Sequence, residues 1–241
     1  MVDYTYTAAQ YYQEVSEQYI HCLSIDGVIF GFRQDQLKVL LLRWRGTPEW
    51  SLPGGFIQKT DSVDLAAQRI MQERTGLAAL HLQQSDIFGE AVRCNEGETW
   101  NKINLPVQSV NWLEQTISIN YLALVEHSKV VPSPDILTEE CSWWSVEATL
   151  ALLFDHNNVI GVALKSLRSQ LSKQTISHLL PETFTIPELQ RLYETILGHL
   201  LDARNFYKKM IAQGQLERLA ERWVDTPHKA PFLYRLKPQA A

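Results

Sequence analysis

The sequence predicts an α/β fold, in the form of an α+β sandwich, over residues 1–172 and a winged helix-turn-helix domain over residues 173–241. In the first part, short apolar runs rich in β-branched residues surround one strongly helical segment. In the second part, two helical segments precede two short apolar runs, which is the element order of a winged helix. The length of 241 residues fits two ordinary domains.

Apolar runs and breakers define the elements of the first domain. Strands are predicted over residues 22–32, 37–43, 50–52, 80–93, 117–126 and 143–146. Helical spacing of apolar residues predicts one helix over residues 62–74, ended by Gly76, and another over residues 157–172. Residues 94–116 have a mixed pattern that predicts no single element.

Helix signals and then hairpin signals define the second domain. In chain order these are a linker over 173–185, a helix over 187–197 that begins at Thr185 or Pro187 and ends at Gly198, a helix over 203–213 capped by Asp202, and strands over 216–224 and 232–236. The loop between the two strands would be the wing.

Charge is divided unevenly along the chain. The whole chain has 22 Lys and Arg against 27 Asp and Glu, a net charge of −5. Residues 199–241, however, hold 8 basic and 4 acidic side chains. A basic segment on an otherwise acidic chain is typical of a nucleic-acid module.

The three cysteines, Cys22, Cys94 and Cys141, are odd in number and include no CxxC pair, which argues against a disulfide framework or a zinc knuckle. We interpret them as free thiols of a reducing compartment.

Residues 1–19 contain no Lys or Arg and do not resemble a signal peptide, and no apolar run approaches the ~18 residues that span a membrane. The sequence therefore predicts a cytoplasmic protein with no membrane partner.

Residues 55–77 read GFIQKTDSVDLAAQRIMQERTGL and resemble the Nudix box. The family pattern is Gly, five residues, Glu, seven residues, Arg-Glu, an apolar residue, one residue, Glu-Glu, one residue, and Gly followed by an apolar residue. Residues 50–55, WSLPGG, also match the segment that usually precedes this box. The resemblance implies the Nudix fold, with the box forming a strand, a loop and a helix.

The carboxylates of this box are largely replaced. Mg²⁺ takes hard oxygen ligands while it bridges a diphosphate, and positions i, i+3 and i+4 place such ligands on one helix face. Here those positions hold Ile70, Glu73 and Arg74, so only Glu73 remains. We therefore predict weak or no hydrolase activity, no catalytic residue, no cofactor and no metal site beyond Glu73 at most.

The carboxylates in and near the box have different expected roles. Asp61 replaces its first Glu and is expected to pair with Arg69 in a structural role. Glu73 is more simply interpreted as a solvated helix residue than as a working ligand. One of Glu96, Glu98 and Glu114 could supply a ligand from the long loop, and Mg²⁺ would then be the cofactor of a hydrolase.

The helix over 203–213 has two different faces. Phe206, Met210 and Ile211 are expected to pack inward against the preceding helix, which leaves a basic outer face. Arg and Asn read guanine and adenine edges, and Lys contacts phosphates. The candidate DNA-binding residues are Arg204, Asn205, Lys208 and Lys209 on the helix and His228 and Lys229 in the wing, with Arg235 and Lys237 beside them. The alternative is a solvated cationic surface.

Residues 179–211 are similar to the DNA-binding half of the Nudix-related transcriptional regulators, and residues 153–156, LFDH, match the end of the Nudix part in that family. The resemblance covers roughly residues 20–238, apart from residues 104–116. It implies a ligand-responsive transcriptional regulator in which a metabolite in the Nudix domain alters the affinity of the winged helix for double-stranded DNA. Relatives that regulate NAD metabolism respond to ADP-ribose or related nucleotides, and others respond to sugars such as arabinose.

Two further expectations follow for a regulator of this kind. Operator symmetry usually mirrors protein symmetry, so a homodimer is expected. Coupling between effector and DNA is typically worth ~1–3 kcal/mol. Residues 157–173 and the predicted linker after them would transmit this coupling.

Candidate effector-binding residues are cations for a diphosphate and an aromatic ring for an adenine. The cations are Arg43, Arg45 and Arg93, although Arg43 and Arg45 are equally consistent with an exposed strand end. Phe56 or Trp50 could supply the ring, with Phe56 as the candidate ligand-binding residue, although we interpret both more simply as core residues. Asp155 and His156 are interpreted as the first turn of a helix, with Asp155 as its cap and His156 as a surface or packing residue, rather than as metal ligands.

Two other functions compete with the regulator. One is an active Nudix pyrophosphohydrolase that acts on ADP-ribose-like nucleoside diphosphates and carries a C-terminal interaction module. The other is a protein-binding scaffold, which would bind neither DNA nor nucleotide. The basic outer face of the 203–213 helix is the main argument against the scaffold.

Overall fold

The computed structural model describes residues 19–77, 80–90, 98–103, 116–148, 150–221 and 232–237. The strands are β1 Tyr19–Arg33, β2 Gln36–Trp44, β3 Trp50–Ser51, β4 Gly54–Gln58, β5 Leu82–Phe88, β6 Ile117–Val125, β7 Thr138–Ser145, β8 Leu216–Glu221 and β9 Phe232–Leu236. The helices are α1 Val63–Thr75, α2 Glu98–Lys102, α3 His156–Ser169, α4 Lys173–Leu179, α5 Ile186–Leu197 and α6 Ala203–Ala212, with a 3₁₀ turn at His127–Lys129.

Seven strands form one mixed sheet in the first domain. The order is β3-β2-β1-β6-β5, with β4 pairing with β1 and β7 pairing with β2. The central strand β1 runs parallel to β6 and antiparallel to β2 and β4. This register places Asp26 of β1 opposite Asn120 of β6 and opposite Gly54 of β4, so a carboxylate lies in the middle of the sheet.

The helix α1 covers one face of this sheet. It begins after Ser62, whose side chain accepts a hydrogen bond from the backbone of Leu65, and it ends at Gly76, which adopts a left-handed φ of 70°. Its buried residues Ile70 and Met71 belong to the core cluster on that face of the sheet. The helix predicted over residues 62–74 is confirmed.

The other face of the sheet is covered by α3 and α4. Val159 and Leu167 of α3 lie in the same core cluster as Phe30 of β1. The segment predicted to be a linker, residues 173–185, instead begins with the helix α4, whose residues Ile176 and Leu179 are each 1% exposed. The linker prediction was wrong because apolar residues spaced along a short, capped helix are buried against the sheet, in a segment that looks polar along the chain.

Two capped helices and a hairpin form the C-terminal domain. Thr185 and Glu188 make a reciprocal capping box at the start of α5, Gly198 ends it with a φ of 78°, and the Asp202 side chain caps α6. The strands β8 and β9 pair antiparallel. The order predicted for a winged helix is confirmed, although the tip of the hairpin, residues 222–231, lies outside the described residues.

Ile211 does not pack inward as predicted, because it is 42% exposed. Phe206 and Met210 are four residues apart and already fill the buried side of α6. The Phe206 ring makes an edge contact with Tyr193 of α5 at 5.3 Å between ring centroids. Ile211 therefore lies on the outer part of the helix.

The two domains share one hydrophobic core. Buried residues of the sheet, of α3 and α4, and of α5 and α6 belong to a single cluster. Polar contacts join the domains as well, since Arg191 of α5 pairs with Asp35 in the β1–β2 turn at 2.6 Å, and Thr195 donates to the Asp35 carbonyl at 3.1 Å. In the part of the chain that the structure describes, no helix is long and apolar enough to cross a membrane.

Candidate functional site

A cavity of about 270 Å³ lies at one end of the sheet of the first domain. Its walls come from the start of β1, the β2–β4 region, α1, the short helix α2, the segment before β7 and the first turn of α3. Its charged and aromatic lining residues include Asp26, Phe56, Arg69, Glu73, Arg74, Trp100, Asp135, Phe154 and His156. Cavities of this kind, with a few convergent polar groups, are the usual place for a small ligand.

The floor of the cavity is a buried polar cluster around Asp26, which is 7% exposed. Ser118 donates a hydrogen bond to Oδ2 of Asp26 at 2.6 Å, and Nε2 of His156 lies 3.5 Å from the same oxygen. A Cβ on Gly54 would lie 2.6 Å from Oδ1 of Asp26, so only glycine allows this carboxylate to approach the β4 backbone. The cluster presents a fixed acceptor to the cavity.

His156 is oriented by its second ring nitrogen. Nδ1 accepts a hydrogen bond from the backbone N–H of Leu52 at 2.9 Å, so the neutral ring carries its proton on Nε2, facing Asp26. His156 is 3% exposed and lines the cavity, so it has a packing position as predicted but is not a surface residue. Asp155 occupies the predicted N-cap position, although its side chain makes no capping hydrogen bond.

Aromatic rings form a second wall. Phe154 has a φ of 57°, a conformation that bulky residues rarely adopt, and its ring lies 5.4 Å from Trp100 and 5.1 Å from His156. Backbone strain of this kind clusters at binding sites. Phe56, the ring predicted to contact an adenine, also lines the cavity, whereas Trp50 is buried in the core as interpreted from the sequence.

The third wall is built from charged residues of α1. Arg69 donates to Asp61 from Nε at 3.2 Å and from Nη2 at 3.1 Å, which confirms the predicted pair. Arg74 donates to Asp135 at 2.9 Å. Glu73 lies between the two guanidinium groups, 3.7 Å from Arg69 and 3.8 Å from Arg74.

These residues do not fit a magnesium ion. The box carboxylates Asp61 and Glu73 are each within ion-pair distance of a guanidinium group, and the apolar Ile70 lines the cavity where the family pattern has a carboxylate. Across the described ranges, no group of three His, Cys, Asp or Glu side chains could hold a metal ion. Glu96, Glu114 and the side chain of Glu98 lie outside the described residues.

The strand-end arginines lie elsewhere. Arg43 pairs with Glu139 and, at 3.1 Å, with Glu140, while Arg45 donates to the carbonyl oxygens of Ile136 and Thr138. Hydrogen bonds from Ser142 and from Arg43 lower the pKa of Glu140. Among the described residues, neither arginine lines the cavity. Arg93 lies outside the described residues. The ligand role of all three arginines stays a prediction.

The cysteine prediction is tested at one position. Cys141 on β7 is a free thiol, and burial raises its pKa to about 12. A thiol with so high a pKa stays protonated and is a poor nucleophile. Cys94 and the side chain of Cys22 lie outside the described residues.

The candidate nucleic-acid interface is the outer face of α6. Arg204, Asn205, Lys208 and Lys209 are all exposed there, as the sequence predicts. His228 and Lys229, the predicted wing contacts, lie outside the described residues. Beside the helix, Lys237 is exposed and Arg235 is exposed but pairs with Glu217 at 2.8 Å.

Sequence reasoning missed Asp26, Arg74, Trp100 and Phe154 as lining residues of the cavity. Asp26 had a usable signal, because it is a lone carboxylate inside an otherwise apolar strand segment. Burying a charge in such a place costs free energy unless ion-pair or hydrogen-bond partners compensate it. Trp100 and Phe154 had no usable sequence signal, since single aromatic residues in irregular segments are most often packing residues.

Two domain families match this chain. The NUDIX domain matches residues 22–162, and the NrtR DNA-binding winged helix domain matches residues 176–236. A similar protein is the ADPR responsive transcriptional repressor NtrR of Acinetobacter baylyi, 30% identical over 203 residues, which are 81% of this chain and 74% of the relative.

Solved structures are also similar. The crystal structure of Shewanella oneidensis NrtR complexed with a 27mer DNA is 26% identical with a TM-score of 0.69, covering 90% of this chain and 94% of that one. A MutT/nudix family protein from Enterococcus faecalis is 22% identical with a TM-score of 0.65, over 98% of this chain and 95% of that chain, and shows the fold alone.

The mixed sheet with its box helix and the helix-turn-helix with its hairpin define a Nudix domain joined to a winged helix domain. The chain belongs to the NUDIX domain family, and its C-terminal domain is of the NrtR DNA-binding type. The predicted fold class and family are confirmed.

Proposed function

We propose that this protein is an ADP-ribose-responsive transcriptional repressor that binds double-stranded DNA as a homodimer. The observation that carries the proposal is a ligand cavity and an exposed basic helix built on one continuous core. The similar protein from Acinetobacter baylyi, named as an ADPR responsive repressor, matches this chain across both domains. A repressor acts where the chromosome is, so we place the protein in the cytoplasm.

The cavity has a suitable group for each part of ADP-ribose. Phe56 and Trp100 offer rings for the adenine, since aromatic faces stack on bases. The Asp26 carboxylate is an acceptor for ribose hydroxyls and would repel a phosphate. Arg69 and Arg74 suit the diphosphate, because a guanidinium matches phosphate geometry.

The basic helix suits the major groove of DNA. Its outer face combines Arg204 and Asn205, which can read base edges, with Lys208 and Lys209, which suit phosphates. In a dimer, two such helices would bind half-sites about one helical turn apart. An effector that changes their separation would weaken binding without touching DNA.

The hydrolase alternative is less well supported. Ile70 and Arg74 occupy cavity positions where an active Nudix enzyme needs carboxylates, and Glu73 lies between two arginines. A Lewis acid and an activated water would both need ligands that these residues do not offer. Regulation rather than turnover is therefore the function we assign to the cavity.

Fluorescence anisotropy with DNA from upstream of the protein's own gene tests the proposal. We expect binding that is tighter than to random DNA and that ADP-ribose releases. Arg204→Ala should weaken this binding by about 1–3 kcal/mol and relax the sequence preference, since a bidentate base contact is lost. Lys165→Ala removes an exposed charge on α3 and should change nothing.

Two results would count against the proposal. Equal affinity for random and upstream DNA, lost in moderate salt, would reduce α6 to a solvated cationic surface. Binding could also be selective, unchanged by ADP-ribose and released by a sugar such as arabinose. That result would support a transcriptional regulator but reject ADP-ribose as its effector.

A further inference from the structure

The charged wall of the cavity is held together by ion pairs between its own residues. Arg69 is held by Asp61, Arg74 is held by Asp135, and Glu73 is within 3.8 Å of both guanidinium groups. A divalent cation at Glu73 would gain one carboxylate ligand there, and it would lie close to two positively charged guanidinium groups.

Arg74 is the residue that departs most from a metal site. It is 8% exposed, it lines the cavity, and its Nε has no hydrogen-bond partner within the described residues. A guanidinium keeps its charge at any ordinary pH and has five N–H donors, of which Asp135 engages one at Nη2. Arg74 is therefore a permanent cation, and some of its N–H groups have no hydrogen-bond acceptor among the described residues.

Ile70 closes the remaining space on this wall. It is 2% exposed, and a Cβ on Gly55 would lie 3.3 Å from its Cδ1, so the side chain packs tightly against β4. An apolar group here excludes the water molecules that a bound magnesium ion normally retains. Ion pairs and packing thus both disfavour a metal.

We propose that this cavity binds the diphosphate of its nucleotide ligand without a divalent metal, because the guanidinium groups of Arg69 and Arg74 take the place of the ion. This inference rests on the proposed ADP-ribose function and adds the chemistry of its binding. Charge-assisted hydrogen bonds from arginine to phosphate are often bidentate and are about twice as strong as neutral ones. The carboxylates of Asp61, Glu73 and Asp135 then hold the two arginines rather than a metal.

Isothermal titration of the full-length protein with ADP-ribose, in EDTA and then in excess Mg²⁺, tests the proposal. We expect dissociation constants that agree within about twofold, since no coordination bond is formed or lost. Binding that is tenfold or more tighter in Mg²⁺ would overturn it. No binding in either buffer would reject ADP-ribose as the effector, which is the proposed function itself.

Arg74→Glu restores the carboxylate of the family pattern. In EDTA we expect this variant to bind ADP-ribose at least ~10-fold more weakly, since a charge-assisted hydrogen bond to the diphosphate is lost. We expect a smaller loss for AMP, which has no diphosphate. Equal losses for both ligands, or none, would contradict the role of Arg74.

Two further variants keep this test decisive. Lys165→Glu makes the same charge reversal on the exposed face of α3, outside the cavity, and should leave both affinities unchanged. If Arg74→Glu does not fold, Arg74→Lys keeps the charge but loses the planar fork. It should bind ADP-ribose more weakly than the native protein and remain insensitive to Mg²⁺, and a Mg²⁺-dependent affinity would contradict the inference.

Discussion

At the scale of single residues, His156 joins the floor of the cavity to the backbone of the sheet. Its Nδ1 is the acceptor for the buried N–H of Leu52, and its Nε2 faces Asp26. Both contacts connect residues that are far apart in the chain, as the separation of 104 positions between Leu52 and His156 illustrates. The imidazole therefore stabilises the fold and positions the carboxylate together.

Replacing His156 by leucine should lower the free energy of unfolding by about 1–3 kcal/mol, because the Leu52 N–H would be left buried without an acceptor. Chemical denaturation measures the loss. His199→Leu is the matched control at an exposed position and should stay within about 0.5 kcal/mol of the native protein. Equal effects of the two variants would mean that the Leu52 contact contributes nothing.

Residues inside one local motif were predictable, and residues joined by long-range pairing were not. The Asp61–Arg69 pair follows from their spacing across the box loop and the first turns of α1. The cluster of Asp26, Ser118 and His156 depends on β1 lying beside β6 and on α3 returning over the sheet. A sequence pattern holds no information on which distant polar residues will meet.

At the scale of elements, α4 differs most from what the sequence predicts. The sequence predicts a linker over residues 173–185, but α4 is capped by Ser172 and buries Ile176, Leu179 and, just beyond its end, Leu180. The helix is only seven residues long, so its stability comes from packing rather than from propensity. Coupling through this segment would therefore pass through a packed helix.

Leu179→Ala should reduce the free energy of unfolding by about 2–5 kcal/mol, the usual cost of a cavity at a fully buried leucine. Leu200→Ala makes the same chemical change at a position that is 87% exposed and should have almost no effect. Thermal or urea unfolding of both variants checks this. A small loss at Leu179, similar to that at Leu200, would restore the linker interpretation.

Elements with end signals were the ones that the sequence located well. Serine, threonine or aspartate caps begin α1, α5 and α6, and left-handed glycines end α1 and α5 and follow the C-cap of α6. The observed ends agree with the predicted ends to within a residue or two. The strand β7 begins at Thr138, five residues before its predicted start, because the polar residues Thr138, Glu139 and Glu140 hide its first half from an apolar pattern. Strand ends depend on pairing partners, which periodicity does not reveal.

At the scale of the whole molecule, the shared core makes the two domains one mechanical unit. The sheet, α3, α4 and the helices of the winged helix lie in one cluster, and Arg168 donates to the Ile196 carbonyl at 2.6 Å between α3 and α5. The first turn of α3 lines the cavity, and the far end of α3 touches α5. A shift of α3 on ligand binding would therefore move the DNA-binding domain directly.

The charge asymmetry seen in the sequence fits this arrangement. The acidic surplus belongs to the part of the chain that holds the cavity, and the basic surplus belongs to the winged helix. An acidic sensor domain is not attracted to the DNA backbone, so the basic helix would set the orientation on DNA. The overall charge alone would have hidden this division.

We expect ADP-ribose in the cavity and DNA on α6 to be energetically coupled. The most direct test measures DNA affinity with and without saturating ADP-ribose, and ADP-ribose affinity with and without saturating DNA, in one buffer. Linkage requires both affinities to fall by the same factor, and a coupling of ~1–3 kcal/mol makes that factor roughly 5–150. We predict such a matched, reciprocal loss. Affinities that do not change when the other ligand is present would contradict it.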